Sequence, residues 1–324
     1  MSYYLVEDLL AADIAMEPNR KGFGRGLLAA GQADEQVVAA CADLTDSTQI
    51  SLFRDAYPDR FVEIGVAEQN LVTVGSGLAA MGKIPFVSSY AAFSPGRNWE
   101  QIRTTVCLND MPVKIVGSHA GLYTGQDGAT HQMLEDIALM RALPNMVVLA
   151  PADSVEAEKM TITMAKDKRP NYMRLAREPI PVFTTDKTPF EIGKAYVYAE
   201  GTDVTIISTG TMTHPALVAA EKLFKDGIDA EVIHCPTIKP LDEATILRSV
   251  RKTKAVITVE EAQIAGGLGG AVAELLSEEY PVPVHRMGVR DRFGESGLPA
   301  DLLEHIGLTT KHIVLAAHHM MDKK

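Results

Sequence analysis

Glu68 begins a long run of small and apolar residues in the stretch FVEIGVAEQNLVTVGSGLAAMG, residues 61–82. No further charge follows it before Lys83. Apolar residues on every side predict a buried helix, and an acid in the first turn lies in the favourable field of the helix N-terminus. A carboxyl group kept from water in this way is poised to hold or share a proton. Glu68 is therefore either an acid or base with a chemical role or an ordinary glutamate at a helix start, and this stretch alone does not decide.

A second candidate stretch is SHAGLYTGQDGATHQMLEDIALMRALPNM, residues 118–146. It places His119, Asp127 and His131 in one glycine-containing loop that follows an apolar strand. Such a loop leaves the carboxyl edge of a parallel sheet, where α/β proteins bind their ligands. A histidine there can bind a phosphate, move a proton or simply hold the loop in place. Two histidines and an aspartate so close together make function and loop structure about equally good explanations.

Three other stretches also leave predicted strands. Tyr90 and Phe93 in SSYAAFSPGRNWEQIR can stack on a planar ring or cap the core. Ser47 in ADLTDST and Arg177 in YMRLARE are residue types that hold phosphate, although most such arginines form surface ion pairs. The stretch GGLGGA (266–271) does not satisfy GxGxxG, because Val272 stands where the last glycine is required. We interpret it as close packing of a helix start on its sheet.

Composition excludes several classes of partner. The chain has 324 residues, of which 46% are hydrophobic and 23% charged, as expected for two globular domains with sizeable cores. Its net charge is −11 and it has no basic cluster, which argues against a nucleic-acid partner. Any anion-binding site must therefore be built locally from a few arginines, histidines and helix ends.

The location of the protein is predicted from its cysteines and its apolar runs. The three cysteines are far apart and form no CxxC pair, which indicates a reducing compartment and neither a disulfide framework nor a zinc site. The first ten residues, MSYYLVEDLL, are acidic and lack the basic start of a signal peptide. No apolar run reaches the roughly 20 residues of a membrane span. We expect a cytoplasmic protein that does not bind membranes.

Alternating strands and helices predict two doubly wound α/β domains with mostly parallel sheets. The predicted boundaries are residues 1–178, a proline-rich linker at 179–192, and residues 193–324. We expect the tail after Leu315 to be loosely held. Strands are predicted at 36–44, 85–90, 112–118, 145–151, 170–175, 203–210, 229–235, 255–261 and 283–289, and helices at 67–81, 98–109, 132–142, 153–167, 214–227 and 266–279.

Several of these motifs, in this order, resemble the transketolase family. The most specific are DRFVEIGVAEQN, GSHAGLYTGQDGATHQMLED and VEEAQIAGGLGGAVAE. The resemblance covers nearly the whole chain but only the C-terminal section of a typical transketolase. That section comprises the pyrimidine-binding domain and the C-terminal domain.

The resemblance assigns roles to the candidate residues. Glu68 matches the glutamate that hydrogen-bonds the aminopyrimidine ring of thiamine diphosphate and starts its activation, so that the cofactor supplies a carbon nucleophile. Asp127 resembles the residue that contacts the C2 hydroxyl of the substrate. His131 has an open role, and Arg97 lies one residue outside the expected register. The aromatic surroundings of the cofactor correspond to Tyr90 and Phe93, with Asp43 also on the cofactor side, and the sugar-phosphate clamp corresponds to Arg20, Ser47, His119 and Arg177.

One expected motif is absent from the chain. Transketolases hold the diphosphate of the cofactor through a metal, with a GDG…N motif in an N-terminal domain. The nearest string here, QDG at 126–128, lies in the substrate loop and lacks the leading glycine, so we reject it as a metal site. The resemblance therefore implies one subunit of a split transketolase. An N-terminal subunit would hold Mg or Ca and the diphosphate, and two chains of each kind would form a heterotetramer.

Four functions remain open at this point. The first is ketol transfer between sugar phosphates such as xylulose 5-phosphate and ribose 5-phosphate, in the pentose phosphate pathway. The second is the β subunit of a 2-oxo-acid dehydrogenase, which has a similar length and the same two domains. The third is a relative of deoxyxylulose-phosphate synthase, and the fourth a non-catalytic partner subunit. The loop at 117–132 and the phosphate clamp favour the first, since an oxo-acid enzyme has no need of them.

Overall fold

The computed structural model describes residues 4–322 and 324. The expectation for the N-terminal segment therefore falls partly outside the described residues, as does that for Lys323 in the tail. The strands are β1 (Met16–Glu17), β2 (Val37–Cys41), β3 (Phe61–Glu63), β4 (Ile84–Tyr90), β5 (Lys114–Ser118), β6 (Val147–Leu149), β7 (Asn171–Arg174), β8 (Ile180–Pro181), β9 (Tyr196–Ala199), β10 (Val204–Ser208), β11 (Ala230–His234), β12 (Thr237–Lys239), β13 (Val256–Gln263) and β14 (Val284–Val289).

Helices cover both faces of the larger sheets. A π-helical segment, Ile102–Cys107, continues the fourth helix, and a 3₁₀ segment, Leu122–Asp127, lies in the loop after β5. The α-helices are α1 (Asn19–Ala33), α2 (Ser51–Ala56), α3 (Glu68–Ala80), α4 (Trp99–Gln101), α5 (Asp136–Arg141), α6 (Ser154–Lys166), α7 (Thr213–Lys225), α8 (Glu243–Thr253), α9 (Leu268–Glu279), α10 (Pro299–Ile306) and α11 (Thr310–Met321).

The first unit is built on a seven-stranded sheet with the strand order β12-β6-β7-β5-β4-β2-β3. All neighbouring pairs are parallel except β12 with β6. Every residue of β2, β5 and β7 is buried, as expected for parallel strands that are covered on both faces of the sheet.

The second unit is built on a five-stranded sheet with the order β14-β13-β10-β11-β9, in which only β9 is antiparallel. The prediction of two α/β units with mostly parallel sheets is therefore confirmed. The predicted strands of this unit are found within two residues of their expected starts. Strands β9 and β12 and helices α8, α10 and α11 were not predicted.

The two units share structure across their boundary. Strand β12, which lies beyond β9 to β11 in the chain, adds to the edge of the first sheet by pairing with β6. Leu122 and Leu134 from the first unit lie in the hydrophobic core of the second. Residues 179–192 are also packed: Phe183 is fully buried, and its N–H donates to Asp153 Oδ2 at 2.8 Å.

Two expectations about burial are wrong. Helix α3 is not buried on every side, because its outer face is covered by no other part of the described chain: Gln69, Asn70, Gly77 and Ala80 are exposed. The first part of the tail, residues 316–321, is not loose. It belongs to helix α11, whose residues Ile313, Ala316, Ala317 and Met320 are buried at helical spacing against the second unit.

The parallel strands place the candidate residues together. Strands β2, β3, β4, β5 and β7 end at the same edge of the first sheet, and the stretches with Ser47, Glu68, Tyr90, His119 and Arg177 follow them in that order. Helix α5 begins at Asp136, later than predicted, so more of the chain after β5 remains available as loop. In residues 4–322, none of the helices has the length and apolar character that a membrane crossing requires.

Candidate active site

Glu68 is the first residue of α3 and is 2% exposed. Its Oε1 accepts a hydrogen bond from the Ser89 hydroxyl at 3.1 Å. Its main-chain oxygen accepts from Asn98 Nδ2 at 2.8 Å, which fixes the start of the helix. The carboxylate thus has one oxygen held by the protein interior and lies in the field of the helix N-terminus.

The second carboxylate oxygen of Glu68 faces a planar cation. Arg97 Nη1 lies 3.4 Å from Oε2, and the Arg97 side chain is about half exposed. The guanidinium carbon is also 5.2 Å from the centre of the Phe93 ring. A flat, hydrogen-bond-donating group therefore contacts the aromatic ring and the buried acid at the same time. Arg97, which the sequence analysis left outside the core set, belongs to this site.

Four rings form a cluster beside Glu68. Tyr90 stacks on His119 with ring centroids 3.7 Å apart and lies nearly parallel to Phe93 at 6.1 Å. His131 meets the edge of Phe93 at 5.4 Å. The structure thus brings Tyr90, Phe93, His119 and His131 together although they come from two different loops.

His119 is buried and neutral at neutral pH. Burial first, and then the positive charges of Arg20 and Arg177, lower the pKa of His119 to about 3. Its Nδ1 lies 2.9 Å from the Ser118 hydroxyl. When that hydroxyl donates to Nδ1, the proton of the ring is on Nε2, which can then donate to an anion.

The predicted clamp residues meet through main-chain contacts. Arg20 Nη1 donates to the Ser47 carbonyl at 2.6 Å, and Arg20 Nε donates to the Arg177 carbonyl at 3.2 Å. Burial lowers the pKa of Arg20, and the charge of Arg177 adds to this effect. Arg177 Nη1 donates to the Thr124 carbonyl at 3.0 Å and lies 3.3 Å from Asp127 Oδ1. Arg20 and Arg177 are thus close enough to His119 for their positive charges to lower its pKa, in an otherwise acidic chain.

Asp43 lies apart from these contacts in the structure. Its backbone has a positive φ of 58°, and its N–H donates to Glu63 Oε1 at 2.8 Å. It follows β2 and so lies at the same edge of the sheet as Glu68.

The glycine-rich stretch 266–271 is closed to a ligand. Glu260, which is fully buried, accepts the N–H groups of Leu268 and Gly269 at 2.7 and 2.8 Å at the start of α9. Burial raises the pKa of Glu260 to about 7. A Cβ atom on Gly267 would lie 2.0 Å from Glu260 Oε2. The interpretation of this stretch as close packing agrees with these contacts.

Some residues of the site were missed by the sequence analysis. Ser89 and Asn98 hold Glu68, and both are fully buried. The signal for Ser89 was present, because two serines interrupt the apolar strand PFVSSY. Glu261, in the equally apolar strand AVITVEEAQ, accepts a hydrogen bond from the N–H of Tyr123 in the loop after β5, and a buried acid in such a strand is a comparable signal.

Comparisons with known proteins agree with this geometry. A family profile described as "Transketolase, pyrimidine binding domain" matches residues 17–181, and one described as "Transketolase, C-terminal domain" matches residues 193–313.

Relatives and solved structures match over nearly the whole chain. The chain is 44% identical over 298 residues to a 6-deoxy-6-sulfo-D-fructose transketolase subunit of Clostridium sp. (strain MSTE9), covering 92% of each protein. It is 44% identical over 308 residues to a protein of Methanocaldococcus jannaschii named for the C-terminal section of transketolase, covering 94% of this chain and 96% of that one. A solved structure described as "Split gene transketolase, inactive beta4 tetramer" superposes with a TM-score of 0.89 at 44% identity, covering 94% and 98% of the two chains.

Proposed function

Since the chain belongs to the transketolase family, as the C-terminal section with its pyrimidine-binding and C-terminal domains, we propose that it completes a two-chain active site. That site transfers a two-carbon ketol unit from a ketose phosphate to an aldose phosphate. Thiamine diphosphate lies between this subunit and a separate N-terminal subunit, which also holds the Mg or Ca ion. The observation that carries the proposal is the buried carboxylate of Glu68, which contacts an Arg97 side chain that also lies over the ring of Phe93. The same edge of the sheet carries Arg177 and His119.

The residues around Glu68 fit the aminopyrimidine of the cofactor. Arg97 already makes the two contacts that such a ring requires, one to Glu68 Oε2 and one to the face of Phe93. The ring would therefore take the place of the Arg97 guanidinium, and the half-exposed Arg97 side chain is free to move outward. When bound, thiamine diphosphate supplies a carbon nucleophile and stores the electron pair of the broken C–C bond. Glu68 holds or shares the proton at the ring nitrogen, and Ser89 keeps the carboxylate oriented.

The cations fit the phosphate of the substrate. Arg20, Arg177 and neutral His119 can donate to a dianion, with Ser47 beside them. Asp127 is ion-paired with Arg177 at 3.3 Å, so a bound phosphate would compete for Arg177 and leave Asp127 to meet a sugar hydroxyl. A net charge of −11 makes this local concentration of positive charge the feature that selects an anionic substrate.

The need for a second chain has two supports. The sequence has no GDG…N motif for the diphosphate and its metal. The outer face of α3 is open, with Val66 73% and Met81 82% exposed on either side of the helix that Glu68 begins. Apolar side chains exposed next to a buried acid suit a protein interface. A solved relative at 44% identity is described as an inactive tetramer of β chains alone, and we propose that this chain works in an assembly of two plus two.

Reconstitution tests the proposal. The purified chain is mixed with the N-terminal subunit from the same genome, thiamine diphosphate and Mg or Ca, and transfer from xylulose 5-phosphate to ribose 5-phosphate is measured. We expect no transfer by either chain alone and full transfer by the mixture, which should sediment as a heterotetramer. Full activity of the isolated chain would refute the two-chain site, and a mixture that transfers no ketol unit would refute the reaction.

A second candidate differs only in the donor. One relative at 44% identity is named for 6-deoxy-6-sulfo-D-fructose, which carries a sulfonate where a sugar phosphate carries its phosphate. Both groups present several oxygens to an arginine clamp. Measuring kcat/KM of the reconstituted enzyme with this sulfo-sugar and with xylulose 5-phosphate decides which donor it prefers.

A further inference from the structure

The loop after β5, residues 119–135, is anchored by the second unit of the chain. Leu122 and Leu134 of this loop lie in the hydrophobic core of that unit. Gln132 Nε2 donates to the Glu295 carbonyl at 2.8 Å, and the Ser296 hydroxyl donates to the Gln126 carbonyl at 2.6 Å. The loop that carries His119 and Asp127 therefore takes its shape from residues more than 100 positions away.

Glu261 on β13 is the buried centre of this anchor. Its Oε1 accepts the main-chain N–H of Tyr123 at 2.8 Å, and its Oε2 accepts the Thr211 hydroxyl at 2.8 Å. The side chain is 2% exposed, so water cannot replace these partners. Gly121 permits the close approach, because a Cβ atom there would lie 2.3 Å from Glu261 Oε1.

The contact at Tyr123 is one residue away from the phosphate clamp. The hydroxyl of Thr124 donates to the His119 carbonyl at 2.7 Å, and the carbonyl of Thr124 accepts from Arg177 Nη1 at 3.0 Å. A shift of Tyr123 therefore moves both contacts at once. In the described part of the chain, no other acidic side chain of the second unit accepts an N–H of this loop.

We propose that Glu261 is a positioning residue for the sugar phosphate, acting through Tyr123 and Thr124 on His119 and Arg177. The proposal rests on the proposed function, since it names what sets the geometry of that phosphate site. The second unit would thus take part in substrate binding, although none of the clamp side chains belongs to that unit.

Two variants of Glu261 test it in the reconstituted enzyme. Glu261→Asp withdraws the carboxylate from Tyr123 and should raise the KM for ribose 5-phosphate about tenfold, while rates with unphosphorylated ribose change little. Glu261→Gln should keep the KM for ribose 5-phosphate nearly normal, because the amide oxygen can accept from Tyr123 and the amide nitrogen can donate to Thr211. A merely structural role would instead lower the active fraction equally for both sugars.

The matched control is Glu260→Asp. Glu260 lies next to Glu261 in the same strand and is equally buried, but its carboxylate holds the start of α9 and not the loop. We expect this variant to lose stability and to keep the normal KM for ribose 5-phosphate. An unchanged KM in Glu261→Asp, or an equal rise in both aspartate variants, would overturn the inference. The proposed function fails separately, if the unmodified enzyme transfers no ketol unit to ribose 5-phosphate.

Discussion

The imidazole of His119 lies flat on the phenol ring of Tyr90, with 3.7 Å between the ring centroids and 20° between the planes. A residue assigned to the phosphate clamp is therefore packed directly on a residue assigned to the cofactor. Because Tyr90 ends β4 and His119 follows β5, two adjacent parallel strands set this contact. Under the proposed function, the substrate and cofactor sites would thus be in direct contact through these two rings.

Glu68→Gln should abolish ketol transfer without unfolding the protein. The amide can still accept the Ser89 hydroxyl, so the packing of the helix start remains. It cannot hold and release a proton at a ring nitrogen, and we expect kcat to fall by about three orders of magnitude or more. The measurement is kcat of the reconstituted enzyme, with the thermal midpoint of the chain as the folding control. A variant with nearly normal turnover would remove Glu68 from the mechanism.

His119→Ala and Arg177→Ala should impair phosphorylated substrates selectively. Each variant loses one hydrogen-bond donor to the charged phosphate, and such a hydrogen bond contributes about 1.5–3 kcal/mol. We therefore expect kcat/KM for ribose 5-phosphate to fall about ten- to a hundredfold. The value for unphosphorylated ribose should change much less. Arg251→Ala is the control, because Arg251 is exposed on α8 and packs over Tyr280. Equal losses with both sugars would argue against a clamp.

Acid should destabilise the folded chain over the pH range in which His119 takes up a proton only in the unfolded state. The pKa of His119 is about 3 in the folded chain and ordinary, about 6.5, after unfolding. Between these values the unfolded chain binds a proton that the folded chain does not. The stabilisation is therefore complete above pH 6.5 and is lost as the pH falls toward 3, by at most about 1.4 kcal/mol per pH unit.

Urea unfolding at pH 7.5, 6.0 and 5.0 measures this loss. The variant His119→Gln should show a shallower decrease than the unmodified chain, and His305→Gln is the matched control at an exposed histidine. Parallel slopes in all three proteins would show that His119 does not titrate as proposed. The same neutrality predicts that His119 adds no pH dependence to the KM for ribose 5-phosphate between pH 6 and 8.

Gly121→Ala should damage the substrate loop more than its backbone angle alone explains. Gly121 has φ of +75° and Gly82 has φ of +83°. A Cβ atom on Gly121 would clash with Glu261, whereas a Cβ atom on Gly82 would have no neighbour within 4 Å. Both variants should lose about 1 kcal/mol from the left-handed backbone. Only Gly121→Ala should also raise the KM for ribose 5-phosphate. If the two variants behave alike, the close approach of Glu261 is unimportant.

Lys114→Met should be strongly destabilising. The ammonium group of this fully buried lysine on β5 donates to the carbonyls of Asp167 and Arg169 and to Asn171 Oδ1, at 2.7–2.8 Å. Methionine fills the space but leaves three acceptors without a donor, at a cost of at least about 3 kcal/mol. Lys166→Met, on the exposed side of α6, is the matched control. Urea unfolding of both variants gives the comparison, and equal stabilities would contradict the prediction.

The sequence was sufficient for the features that depend on local pattern. Strand β2 is a continuous apolar run, and helix α6 lies within the helix that the pattern predicts at residues 153–167. The tail was misjudged although Ile313, Ala316, Ala317 and Met320 follow helical spacing. His318 and His319, which lie between them, obscured the pattern.

Features that depend on distant contacts could not be derived in this way. Strand β12 is only three residues long, and it forms because an edge of the first sheet is available to it. The pairing of Glu261 with Tyr123 joins residues 138 positions apart. The exposure of the outer face of α3 could not be predicted either, because an apolar composition does not show whether a helix is covered by its own chain or by another.

Strand β12 has a consequence for motion during turnover. By its position in the chain β12 belongs to the second unit, but it is hydrogen-bonded to the sheet of the first unit. Just before β12 in the chain, His234 of β11 forms a hydrogen bond with Glu156 of α6. A hinge motion between the two units would have to break the hydrogen bonds between β12 and β6 and separate the buried pair of His234 and Glu156. We therefore expect the two units of this chain to move together as one body.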